Sequence, residues 1–209
     1  MKNWDKRYAA AGTDPKNRMF GNQPCEYLCK CLARPDVKPT SALCLADGDG
    51  RNGGWLAERG IKVTAVEGSA VATEQALAHD KARGVSVTRI TADLATWSPA
   101  PGQVWDMAAM FFLQCEAAVR LRAVRVAVAA LAPGGWFIAE GFAPSPDDQE
   151  PGLGLGPENP DLLYNLQDLL AAADGLEIVE AEISRVHLNE GTRHQGDATV
   201  TRLLLRKNR

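Results

Sequence analysis

The chain has 209 residues, 45% apolar and 23% charged, and a formal net charge of -3. That length holds one sizeable hydrophobic core and is short for two, and the composition gives no drive toward disorder. A pI near 5.7 disfavours nucleic acid as a partner. No run of eighteen apolar residues appears, and "MKNWDKRY" carries no apolar segment after its charges, so neither a membrane span nor a secretory signal is visible and a cytoplasmic location is expected.

Near the start, "CEYLCKC" holds three of the five cysteines, Cys25, Cys29 and Cys31. Reduced, partly buried thiols are the favoured account; a soft-metal or metalloid site is the alternative that thiolates permit, and no metal is assigned. The run from Thr40 to Gly48, "TSALCLADG", reads as a buried strand ending in a Gly-rich turn. The stretch "GGWLAERG" gives two helical turns closed by Gly60, and "IKVTAVEGS" a second strand. Ser69 is placed to cap the helix "AVATEQALAHDKARG", which stops at Gly84. "VSVTRITADL" and "VWDMAAMFFL" follow as third and fourth strands.

In "EAAVRLRAVRVAVAAL", Leu121, Val124, Val128 and Leu131 recur at helical spacing, which leaves Arg120, Arg122 and Arg125 to a solvated face. Pro133, Gly134 and Gly135 are expected to stop that helix and open a fifth strand, "WFIAEGFA". The loop from Pro144 to Pro160 is a candidate lid by length and position. A helix over "DLLYNLQDLLAAAD" then leads to "LEIVEAEISRVHL" and "ATVTRLLLRK", two strand-like segments with no helix between them. The alternation predicts an α/β fold: a doubly wound, mostly parallel, seven-stranded, Rossmann-like sheet that ends in an antiparallel hairpin. Residues 1–209 form one domain in this reading, with 1–39 a helical cap segment and 40–209 the core.

Ligands of such sheets bind at the C-terminal ends of the strands. There Gly48, Gly50 and Gly53 spell G-x-G-x-x-G, the spacing of a dinucleotide loop, and Glu67 ends the second strand where an acid accepts from ribose hydroxyls. Either a dinucleotide or another adenosine ligand satisfies that much. Asp47 and Asp49 lie inside the loop, and carboxylates there repel a pyrophosphate while favouring a cationic amine and a sulfonium. Asp93, after the third strand, supplies an acceptor for an adenine amino group beside Leu94. S-adenosylmethionine (SAM) meets all three requirements. A nicotinamide-dependent oxidoreductase remains the alternative the glycine spacing permits, and a SAM-binding sensor or scaffold the non-catalytic one.

The segments "LCLADGDGRNGGWLAERGIKVTAVEGS", "ADL", "VWDMAAMFF" and "LAPGGWFIAE" resemble successive motifs of the class I SAM-dependent methyltransferases. The D-G-D-G-R-N form, with "NWDKRY" and "FGNQPCEYL" before it, resembles the bacterial branch of tellurite-resistance and small-molecule methyltransferases. The resemblance puts Asp47, Gly48 and Gly50 at the methionine part of the cofactor, with Arg51 and Asn52 in the same signature; Asp49 is a cofactor-binding candidate by its charge. It implies Glu67 on the ribose, Gly68 and Ser69 against the adenosine, and Asp93 with Leu94 at the adenine.

Methyl transfer needs alignment of the nucleophile, and a base only where the acceptor keeps a proton. At the fourth-strand exit, "MFFLQCE" lacks the N-P-P-Y pattern of nucleobase or amide methylation; Phe111 and Phe112 are core residues of a central strand first, or stack on adenine or a planar substrate, with Phe111 the cofactor-side candidate, and Gln114 is the polar substrate candidate. Trp4, Tyr8 and Phe20 resemble the segment that covers the cofactor, or dock as plain apolar side chains. In the last hairpin Glu190, Arg193 and His194 combine an acid, a fixed cation and an imidazole, and His194 is the candidate catalytic group. The acceptor is a small molecule or an inorganic oxyanion: tellurite-like, a thiol or a heterocycle.

Overall fold

The computed structural model describes residues 2–12, 14, 18–144 and 154–209. Helices α1 (Lys2–Ala11) and α2 (Glu26–Leu32) precede strand β1 (Ser41–Leu45). There follow α3 (Arg51–Glu58), β2 (Lys62–Glu67), α4 (Ala70–Arg83), β3 (Thr88–Thr91) and β4 (Trp105–Phe111). Helix α5 (Ala117–Ala129), β5 (Leu131–Phe142), α6 (Leu166–Ala172), β6 (Leu176–Glu190) and β7 (His194–Lys207) complete the chain.

The strands form one sheet in the order β3-β2-β1-β4-β5-β7-β6. The first five pair in parallel and the β6–β7 hairpin is antiparallel, as the alternation predicts. Within β1 the period of two divides the core: Leu43 and Leu45 pack with Met110, Val124 and Phe137 on the α5 face, whereas Ala42 and Cys44 pack with Leu28, Leu56 and Met107 on the α2–α3 face. Burial on both sides explains why β1 and β4 read as unbroken apolar runs. Chain order reverses between β1 and β4, and the crevice at their C-terminal ends is where such sheets receive ligands.

Ser69 caps α4 by accepting from Ala72 N–H at 3.1 Å, and Gly84 ends that helix in the left-handed conformation at φ 68°. Elsewhere local reading gives way to pairing. α5 stops at Ala129, before Pro133, because Leu131 already pairs with Trp105 and the run through Gly135 joins β5. The arginines of α5 are not a solvated face. Arg120 is 2% exposed and donates to the carbonyls of Cys115, Asp161 and Leu163; Arg122 donates to those of Leu94, Thr96 and Trp97. Only Arg125 of the three is exposed.

The helix expected over residues 161–174 is two pieces, a 3-10 turn at Pro160–Leu162 and α6. Asn165 caps α6 by accepting from the N–H groups of Gln167 and Asp168. Tyr164 between them is drawn to the sheet: its N–H donates to Phe142 O and its carbonyl accepts from Thr201 Oγ1, both at 2.6 Å. The candidate lid lies outside the described residues over 145–153.

The buried Tyr164 ring occupies the space a side chain on Gly141 would fill, and its hydroxyl accepts from Leu113 N–H at 2.7 Å, which pins the chain leaving β4. Gly141→Ala therefore forces that ring to move. The expected cost is about 1–3 kcal/mol, roughly 2–4 °C of Tm for each kcal/mol at this size. An unchanged Tm in thermal unfolding would refute the packing argument.

Candidate active site

At the β1–β4 crevice lies a cleft of about 580 Å³, within the usual range of small-molecule sites. The chain enters it through two residues in left-handed backbone conformations that are not glycine, Ala46 at φ 54° after β1 and Phe112 at φ 51° after β4. Both line the cleft. Such conformations cost of order 1–3 kcal/mol and persist where packing over-determines them.

The loop between β1 and α3 is built around the Asp47 carboxylate. Gly50 precedes α3 with no side chain to cap it, and Asp47 serves instead: Oδ1 accepts from Gly53 N–H at 3.0 Å. Oδ2 accepts from Arg89 Nη1 at 2.8 Å, and Arg89 also donates to both oxygens of Asp80 at 2.7 and 2.9 Å. The three glycines make room for this arrangement. A side chain on Gly48 would strike the Tyr8 hydroxyl, one on Gly50 the Arg89 guanidinium, and one on Gly53 the Asp47 carboxylate. The spacing that reads as a phosphate cradle thus admits polar side chains of the protein itself.

This corrects the charge argument drawn from the sequence. Asp47 is compensated by Arg89, and Asp49 by Arg18, whose Nε donates to Oδ2 and whose Nη2 donates to the Asp49 carbonyl, each at 2.8 Å. The loop is not an unpaired acidic patch. Burial nevertheless pushes the Asp47 carboxyl up against the pull of Arg89. The strand-end acids held by backbone alone are Glu67 and Asp93. Glu67 accepts from Gly48 N–H at 2.9 Å and Ser69 N–H at 2.8 Å, and burial raises its pKa against those bonds. Asp93 accepts from Ala95 N–H at 2.9 Å.

The cleft brings together most of the residues expected there. Asp47, Gly48, Asp49, Arg51 and Asn52 line it from the loop; Glu67, Gly68 and Ser69 from β2; Asp93 and Leu94 from the end of β3. Phe111 and Gln114 line the opposite side with Trp4, Tyr8 and Phe20 from the N-terminal segment, and with His194. Gly50 stands behind the wall against Arg89. Glu190 is behind it too, and Arg193 is exposed, outside the cleft.

Arg51 and Asn52 act as clamps. Arg51 donates to Phe20 O at 3.0 Å and pairs with Glu190 at 2.8 Å, and the Asn52 carbonyl accepts from Cys25 N–H at 2.8 Å. They tie the N-terminal segment and the last hairpin to α3. Ser69 Oγ donates to Asp5 at 2.6 Å and Gln75 donates to Tyr8 O at 3.0 Å, which seats α1 over the loop.

Sequence reasoning missed Arg18, Arg89 and Arg122, whose roles depend on distant partners, and Ala46, whose conformation no local pattern shows. Cys25 donates to Glu140 at 3.3 Å, and burial pushes its thiol up. Among the described residues no group of three or more His, Cys, Asp or Glu is arranged for a metal. A second concavity of about 780 Å³, lined by Cys29, Trp55, Arg59 and Glu190 among others, includes none of Asp47, Glu67 and Asp93.

Two outcomes follow from these pairs. Arg89→Met leaves Asp47 and Asp80 buried without a cation, and urea unfolding should show a loss of about 3–5 kcal/mol, against about 0.5 kcal/mol or less for the exposed Arg125→Ala. Burial opposes ionisation of Glu190, but His194 and Arg51 outweigh it and hold the carboxyl down to about 2 from the ordinary 4.5. Its contribution is thus full above 4.5 and is lost as pH falls toward 2. Acid unfolding of Glu190→Gln should lack that component, and coincident acid transitions would count against the pairing.

Residues 42–135 match the family model described as "Methyltransferase domain". No curated protein sequence matches the chain. Among solved structures, TehB from Haemophilus influenzae has 16% identity and a TM-score of 0.66, over 82% of this chain and 59% of that one. Magnesium protoporphyrin IX methyltransferase (ChlM) from Synechocystis PCC 6803, with bound SAH, has 17% identity and a TM-score of 0.62, over 87% of this chain and 80% of that one. A protein solved for the conversion of a disulfide bond into a thioacetal group during echinomycin biosynthesis has 18% identity and a TM-score of 0.70, over 99% and 91%. At these identities the structures show a shared fold, and the methyltransferase-domain model covers the central segment that runs from β1 to the start of β5.

Proposed function

We propose that the cleft holds SAM and that the protein transfers its methyl group to a small acceptor at the β4 exit. One observation carries the reading: the acids that end or follow three successive strands, Asp47, Glu67 and Asp93, line one cleft. The donor set fits the cofactor. Glu67, with lone pairs beyond those taken by Gly48 and Ser69, suits ribose hydroxyls; Asp93 and the peptide of Leu94 suit the adenine edge; the loop from Ala46 to Asp49 meets the amino-acid end. Gly68 and Ser69 flank the adenosine.

The cofactor supplies a methyl group on a positively charged sulfur. The chain's own part is to bind, to orient and to exclude water. Trp4 and Tyr8 close one side of the cleft, and residues 1–39 serve as a cap on the core 40–209 within one domain. Gln114 offers the acceptor a polar contact, while Phe111 and Phe112 offer ring faces. Acceptors open to this reading are a tellurite-like oxyanion, a thiol or a heterocycle. A nicotinamide dinucleotide fits less well, because the protein's own side chains fill the space beside the three loop glycines.

Calorimetry with SAM and with its demethylated product S-adenosylhomocysteine (SAH) should show binding by the wild type and none for NAD. Glu67→Ala should weaken it roughly 10-fold or more, the loss of hydrogen bonds to a charged group. Absence of binding by both cofactor forms at millimolar concentration would sink the reading; binding without methylated product from a metabolite extract would favour a sensor or scaffold.

A further inference from the structure

His194 opens β7 and is 2% exposed, yet its ring forms part of the cleft wall. Its Nδ1 lies 3.5 Å from Glu190 Oε2, the far end of hydrogen-bonding range. Glu190 is itself fixed from two other elements: Arg51 Nη2 donates to Oε2 at 2.8 Å and Glu26 N–H to Oε1 at 3.1 Å. A carboxylate at Nδ1 selects the tautomer with the proton there and leaves the Nε2 lone pair free. The hydrogen bond recorded for the ring is the one at Nδ1.

Three phenylalanines hold the imidazole plane. Phe20, Phe112 and Phe142 lie with ring centroids 4.8, 4.3 and 5.3 Å from it. Phe20, Phe111, Phe112 and Leu113 give this end of the cleft apolar walls. Among the described residues, Arg51 is paired with Glu190, Arg7 lines the Trp4 side of the cleft with its guanidinium over that ring at 4.8 Å, and Arg193 is exposed outside the cleft.

Resting on the methyl-transfer reading above, we propose that His194 is the general base, that Glu190 is its positioning residue, and that the acceptor is a planar aromatic molecule bearing a hydroxyl. The three acceptor classes differ in what they need. An inorganic oxyanion would give up its hydration for ring faces where, among the described residues, the one cation acting on His194 is Arg51, already paired with Glu190, a costly transfer. A thiol is already a few per cent thiolate at pH 7 and strongly nucleophilic, so it needs little help. A phenolic hydroxyl, with a pKa near 10, keeps its proton at neutral pH and is the acceptor that requires a base. Its ring suits the aromatic walls.

The step balances within the site. The acceptor O–H bond breaks and its proton passes to His194 Nε2. The oxygen forms the new O–CH3 bond as the methyl–sulfur bond breaks, and that electron pair stays on sulfur. The imidazolium, stabilised by Glu190, then releases one proton to solvent for each methyl transferred.

Among the described residues the charged groups that act on His194 are Glu190 from its own hairpin and Arg51 from α3; from the N-terminal segment, the β4 exit and β5 the contacts are the uncharged rings of Phe20, Phe112 and Phe142. Burial pushes the imidazole below its usual 6.5, Arg51 acts in the same direction and Glu190 opposes both. The base is therefore unprotonated at neutral pH.

The test uses the full chain, labelled SAM and four probes: 7-hydroxycoumarin, 8-hydroxyquinoline, thiophenol and tellurite. Label should reach at least one of the two hydroxyl compounds and not tellurite, and the rate should rise with pH through an inflection below 6.5. His194→Asn should slow the reaction roughly 10²–10⁴-fold with SAH affinity within about threefold, well under the roughly tenfold of 1.4 kcal/mol. Glu190→Gln should move the inflection to lower pH, since the group that raises the imidazole pKa is gone. A wild type that binds SAH but methylates only tellurite or the thiol, or neither hydroxyl, overturns the proposal and leaves the cofactor reading standing. Full turnover by His194→Asn overturns it as well. Should that variant lose SAH binding through misfolding, the wild-type and Glu190→Gln pH profiles decide, and a flat profile or an unmoved inflection counts against the dyad. Failure of the wild type to bind SAH defeats the cofactor reading itself.

Discussion

The buried carboxylate of Asp47 is the interaction on which the site depends. It supplies the α3 cap that Gly50 lacks, and it neutralises a guanidinium that α4 and β3 hold from the other side. Such a group is stable in the interior only while all its partners remain, because desolvation of an isolated charge costs several kcal/mol. The geometry of the turn, the start of α3 and the seating of β3 against β2 are therefore coupled. The three loop glycines follow from the same constraint, since each leaves space for a polar side chain that the network or its cover brings in.

A second set of ties closes the cleft from outside the parallel core. Arg51, one residue beyond the loop, reaches both the N-terminal segment and the Glu190 turn. Tyr164 reaches from beyond β5 to the Leu113 peptide after β4. Strain sits between these ties: Ala46 and Phe112 hold left-handed conformations at the exits of the two central strands. The packing around Phe112, against Phe142 at 5.0 Å and His194 at 4.3 Å, is what over-determines it. The two ends of the cleft thus share one wall, and Arg51 links the loop at one end to the hairpin base at the other.

Charge at the site differs from a count of its acids. Asp47, Asp49 and Glu190 each pair with an arginine from a remote part of the chain, Arg89, Arg18 and Arg51. Glu67 and Asp93 instead meet backbone N–H groups. The polar work of the cleft therefore falls on hydrogen-bond geometry more than on a net negative field, a distinction that residue types alone do not make.

What the sequence determined by itself was whatever depends on neighbours within a turn or a strand. Apolar runs set β1, β2 and β4, Ser69 and Gly84 bounded α4, and the missing helix before β7 required an antiparallel hairpin. The acids at the strand ends were legible for the same reason, since sheet topology alone brings Asp47, Glu67 and Asp93 to one edge. Tertiary structure decided what depends on partners far along the chain: that Arg120 and Arg122 turn inward, that Tyr164 divides the expected helix, that α5 yields Leu131 to the sheet, and that the loop aspartates are paired. Local propensities are worth tenths of a kcal/mol per residue, whereas an unpaired buried polar or charged group costs one to several. Where the two conflict the buried partner prevails, and its identity is written in no local stretch of the chain.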